Sequence, residues 1–86
     1  MGIIVRFPDK DGRPRETTAH VTSGDWAVHF VVGAGWRLTR LSDGCYLADF
    51  PTIDGAGFVL GAISQAMPSE VALRTLIESQ GGSVAG

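Results

Sequence analysis

The chain has 86 residues, 44% of them apolar and 19% charged, a net charge of −2 and one cysteine, Cys45. These values describe one small globular domain with a modest core. They exclude disorder and an intramolecular disulfide, and they leave neither the basic face of a nucleic-acid binder nor the acidic face of a DNA mimic. The N-terminal stretch MGIIVRFPDK lacks a signal-peptide layout, Arg6 stands where N-myristoylation wants Ser or Thr, and no run approaches the ~20 apolar residues of a membrane span. A soluble cytoplasmic protein without membrane association is expected.

Turn chemistry divides the first fifty residues. PDKDGRP (8–14), SGD (23–25), GAG (33–35) and SDG (42–44) separate runs rich in β-branched and aromatic residues at 2–7, 15–22, 26–32, 36–41 and 45–50. Links this short force consecutive strands to be antiparallel, so a five-strand meander is expected. The period then changes. Val59, Ala62, Ile63 and Ala66 share a helical stripe in 58–67, and Pro68 interrupts it. SEVALRTLIESQGG carries a second helix with Ser69 as N-cap, Ala72, Leu73, Leu76 and Ile77 as its apolar stripe, and Gly81 and Gly82 at its C-terminal end. The tail, 83–86, is expected to fray. The fold class is therefore α+β: a single domain over 1–86, with an antiparallel meander of four to five strands over roughly 2–50. Two helices over roughly 55–80 cover one face of the sheet.

Hairpin registers assign the faces. With Asp43-Gly44 as a two-residue turn, Leu41 faces Tyr46 and Leu38 faces Asp49. With GAG closing the preceding hairpin, Val32 faces Trp36 and Phe30 faces Leu38. One side then holds Trp26, Val28, Phe30, Val32, Trp36, Leu38, Cys45 and Leu47, and this side is the expected core, closed by Val59, Ile63, Leu73, Leu76 and Ile77. The other side is mixed. It holds His29, Arg37, Thr39, Tyr46 and Phe50, residue types that concentrate at protein interfaces, and these five are the expected partner-binding residues, with Arg37 and Phe50 as cross-strand neighbours.

The candidate chemistries are thin. IDGAGFVLGA contains G-x-G-x-x-x-G, the arrangement nearest to a phosphate loop. No strand follows its helix to complete a βαβ unit and no P-loop lysine is present, so the expected role is structural, with Thr52 or Asp54 capping the helix and the glycines letting it lie close on the sheet. His20 and His29 fall on opposite faces and Cys45 has no companion, so no metal site is expected. Cys45 points into the expected core, and Asp43, Asp49 and Asp54 show no spacing that fixes a carboxylate pair, so neither catalysis nor a cofactor is expected. Around the first turn Arg6, Lys10, Arg13 and Arg15 alternate with Asp9, Asp11 and Glu16, which reads as a solvated turn.

In size and style the chain resembles the small, single-domain, non-catalytic α+β products of phages and mobile elements, anti-CRISPR inhibitors among them. That resemblance rests on no motif. The expected function is a non-catalytic protein-binding module, an inhibitor or adaptor that occupies a surface on a larger protein or complex. Its most specific form is a phage-type inhibitor of a host nuclease complex. The alternatives are a structural homodimer and a small nucleic-acid-binding protein using the 6–15 turn.

Overall fold

Residues 2–85 are described by a computed structural model. The first strands, β1 (Ile4–Pro8) and β2 (Pro14–Thr18), alternate cleanly. Val5 and Phe7 pair with Thr17 and Arg15 on one side, and Arg6 pairs with Glu16 on the other, where the two form an exposed ion pair of 2.8 Å. The Asp9 carboxylate closes the turn by accepting from the backbone N–H groups of Asp11 and Arg13, each at 2.9 Å. Those bonds, that of Arg13 foremost, hold its pKa below the ordinary carboxylate value.

The run expected as one strand over 15–22 is two. The Ala19 N–H donates to Ile3 in the first hairpin, and the His20 N–H donates to Val28 in the next sheet, both at 2.8 Å. The chain changes sheets at this corner. The β1–β2 hairpin is a separate two-stranded sheet, and β3 (Val21–Ser23) starts a five-stranded one with β4 (Trp26–Val31), β5 (Gly35–Arg40), β6 (Tyr46–Phe50) and β7 (Ser83–Val84), in spatial order β3-β4-β5-β6-β7. Consecutive pairs are antiparallel, so the meander is present.

Two registers differ from the sequence reading, with different consequences. Between β4 and β5, Phe30 pairs with Trp36 and Val28 with Leu38, a slide of two residues that leaves every face unchanged. Between β5 and β6, Leu38 pairs with Ala48 and Trp36 with Phe50, an odd shift that exchanges the faces of β6. The cause is local. Asp43-Gly44 is not a two-residue turn, because the Arg40 N–H bonds to Cys45 O and spans a four-residue loop, 41–44. The Asp43 carboxylate is engaged there by the Cys45 N–H at 3.0 Å and by the Arg40 guanidinium at 3.1 and 2.6 Å. A bulge then intervenes, with Thr39 paired to Tyr46 and Leu47 as the extra residue. Cys45 is exposed rather than in the core.

Both helices cover the face of Val28, Leu38, Ala48 and Phe50. Helix α1 (Ile53–Gln65) is capped by Thr52, whose side chain accepts from the Gly55 N–H, and α2 (Glu70–Ser79) is capped by Ser69. Helix α2 ends in a pair of reverse bonds, Gly81 N–H to Glu78 O and Gly82 N–H to Ile77 O, which form a Schellman motif. That ending turns the chain back onto β6. Residues 83–85 therefore do not fray, and Gly86 lies outside the described residues: Val84 pairs with Ala48, and the Ala85 N–H reaches Leu47 O at 2.9 Å. Val59, Ile63, Leu73 and Ile77 join Leu38 in the core as expected, and Trp26, Leu47 and Leu76 are partly buried against it. Phe30 lies on the helix face of the sheet yet stays half-exposed.

Candidate functional site

The face turned away from the helices is not free. Its cross-strand pairs are Ala27 with Thr39, His29 with Arg37, Arg37 with Asp49, and Thr39 with Tyr46. The β1–β2 hairpin lies over them. The inward alternation of β1 brings the Phe7 ring to 4.9 Å from His29 and 6.0 Å from the Arg37 guanidinium, and it buries Val5 completely. The molecule thus has three layers, hairpin, sheet and helices.

Arg37 organises the covered face. It donates two hydrogen bonds to Asp49, at 2.7 and 3.0 Å, and its guanidinium stacks 3.9 Å over the Tyr46 ring. The Arg37 and Asp49 side chains are 12% and 18% exposed, and the hydrogen bonds that Arg37 donates to Asp49 raise the Arg37 pKa. Beside this pair His29 is fully buried. Its Nε2 lies 2.6 Å from Thr39 Oγ1, and its Nδ1 has no hydrogen-bond partner among the described residues. Burial pushes its pKa down to about 4, the Arg37 charge adds to that, and Asp49 opposes it.

Of the five residues expected to meet a partner, four share this face and one does not. His29 and Thr39 are fully buried under the hairpin, and Arg37 is nearly so. Tyr46, 37% exposed, forms the rim. Phe50 stands on the opposite face, in the core, as the odd register of β6 requires. The cross-strand neighbour of Arg37 is Asp49, not Phe50. Sequence reasoning missed Phe7 because a run of alternating residues does not say which sheet face a hairpin will cover.

A different surface is open. On the helix face Phe30 is 50% exposed, and Val32, at the hairpin tip, is 90% exposed. The Trp36 ring meets Phe30 edge-on at 5.3 Å and the exposed His20 at 5.4 Å. Residues 30–36, FVVGAGW, carry no charge. An apolar valine inside a turn was the available signal, since turn tips ordinarily carry polar residues.

The glycines of the G-x-G-x-x-x-G stretch lie inside α1, not in a loop before it. A side chain at Gly57 or Gly61 would meet nothing, and Gly55 approaches Gln80 at the end of α2 rather than the sheet. The loop that does precede α1 is Pro51-Thr52, and its hydroxyl is used as the cap. Adding nucleotides or dinucleotides should therefore leave the melting temperature unchanged. Ligand at 100 times its dissociation constant would contribute ~2.7 kcal/mol, so a saturable upward shift in a thermal scan would overturn this reading. Among the described residues no helix is long and apolar enough to cross a membrane. Searches against protein-family models, curated proteins and solved structures each return no match to this chain.

Proposed function

We propose that this chain is a non-catalytic protein-binding module that docks through the open aromatic end of the β4–β5 hairpin onto an apolar surface of a larger protein. The observation that carries the reading is the exposure of Phe30 and Val32 around a Trp36 ring that is itself anchored on the core. A large aromatic held rigidly and left half in water gains most by burial in a partner, and uncharged surroundings add no desolvation cost. The expected Arg37–Tyr46 patch offers less, because only its Tyr46 rim remains accessible. In its most specific form the partner is a host nuclease complex, and added protein suppresses cleavage by that complex.

Affinity capture from the native host, followed by reconstitution with the purified captured protein, tests the reading. Phe30→Ala should weaken binding about tenfold or more, equivalent to ~1.4 kcal/mol, with the melting temperature little changed. Tyr46→Ala should have the smaller effect. Undiminished binding by Phe30→Ala would remove this surface from consideration. Self-association of the isolated protein in sedimentation that is lost in Phe30→Ala would replace the reading with a homodimer built on the same end.

A further inference from the structure

The β1–β2 hairpin is joined to the rest of the fold by side-chain burial more than by backbone pairing. A two-stranded hairpin is marginal by itself, so its position depends on the buried Val5 and on the seat that Phe7 makes against His29 of β4 and Arg37 of β5. At the bottom of that seat is His29. In either neutral tautomer one ring nitrogen is satisfied by Thr39, and Nδ1 is left without a partner. Once His29 is protonated both ring nitrogens are donors, Nδ1 has no side-chain acceptor in a site closed to water, and the backbone of Phe30 favours the charge less than burial opposes it.

The charges around it do not offset its burial. From β5 the Arg37 guanidinium lies alongside, and from β6 comes the Asp49 carboxylate, already committed to Arg37 through both oxygens. From β1 it meets Phe7, which is uncharged. On β2 the exposed Arg15 is held by Asp9 at 3.0 Å, and at the corner beyond β2 the His20 ring is turned onto Trp36. A second cation beside Arg37 is tolerated only once water reaches it.

We infer that the β1–β2 hairpin is an acid-released cover: protonation of His29 unseats it about the Ala19-His20 corner and exposes the Arg37–Tyr46 face beneath, while the five-stranded sheet and its helices stay folded. This goes beyond the docking surface at the β4–β5 end and does not depend on it. The sign follows from the lowered pKa. The seated state binds the proton less readily than the open one, so the cover is fully held above about pH 6.5 and loosens as pH falls toward 4.

Amide hydrogen exchange read by NMR, expressed as protection factors, separates hairpin from sheet. Between pH 7 and pH 4.5 the β1–β2 amides and the Ala19 N–H should lose protection by roughly 50-fold, while those of β5 and α1 change little. His29→Gln should remove most of that dependence. Should that variant fail to fold, Phe7→Leu tests the same point in a milder way, since a looser cover should move the His29 NMR titration midpoint upward, toward 6.5. Three results would overturn the inference. They are equal loss of protection in hairpin and sheet, an unchanged pH dependence in His29→Gln, and an unmoved His29 midpoint in Phe7→Leu.

Discussion

Replacing Phe50 with alanine should cost this protein about 3–5 kcal/mol of stability, the range for emptying a buried phenylalanine site. The side chain is 1% exposed and pairs across the sheet with Trp36. Its ring closes the core against α2: a Cβ placed on Gly82 would come within 2.7 Å of both the Phe50 ring and Ile77. Walls on three sides come from different elements, so collapse into the cavity is restricted, and the upper part of the range applies. A domain of this size has only about 5–15 kcal/mol in total, so the variant should unfold at a much lower urea concentration. Phe50→Leu, which keeps most of the volume, should retain a measurable folded baseline. This substitution also decides between the two possible faces of β6. A phenylalanine on a partner surface would cost little in the isolated protein, ordinarily within about 0.5 kcal/mol. A loss below 1 kcal/mol would restore Phe50 to the outer face and undo the register on which the three-layer arrangement rests.

What the sequence made legible was chemistry confined to a few neighbouring residues. Thr52 and Ser69 cap the helices because a hydroxyl before an apolar periodic run has an unsatisfied N–H within reach. Gly81 and Gly82 end α2 for a comparably local reason. The antiparallel order follows from short links. What stayed hidden depended on contacts distant in sequence or on two local devices competing. Asp43-Gly44 has the composition of a two-residue turn, yet the Asp43 carboxylate is drawn to Arg40 and the Cys45 N–H, the loop widens, and β6 flips. The corner at Ala19-His20 has no glycine or proline to mark it. Residue alternation placed Phe30 on the correct face but carried no information on how far α1 extends over that face. The mixed face of His29, Arg37, Thr39 and Tyr46 has the composition of an interface, and a cover does sit on it. That cover is the protein's own hairpin, anchored by Phe7.

The β5–β6 register is fixed at one end by Gly35, where a side chain is disfavoured twice over, and Gly35→Ala should cost about 2–4 kcal/mol. Gly35 has φ +96°, a region L side chains rarely adopt. An added Cβ would also lie 2.6 Å from the carbonyl oxygen of Phe50 on the adjacent strand. That oxygen is backbone, so relief requires β6 itself to move, and β6 is held by β5 on one edge and β7 on the other. The neighbouring Gly33 separates the two contributions. Its φ is +85°, but an added Cβ there would meet nothing within 4 Å. Gly33→Ala should therefore carry the conformational part alone, about 1–2 kcal/mol. Gly57→Ala, in the interior of α1 with open space around it, should change sign and stabilise by roughly 0.5–1 kcal/mol. Urea unfolding of the three variants under one condition orders them, with Gly57→Ala above the wild-type midpoint, Gly33→Ala below it and Gly35→Ala lowest. Equal losses at 33 and 35 would mean that β6 yields to the new methyl without cost, and that the close approach of Gly35 to Phe50 does not hold the strands in register.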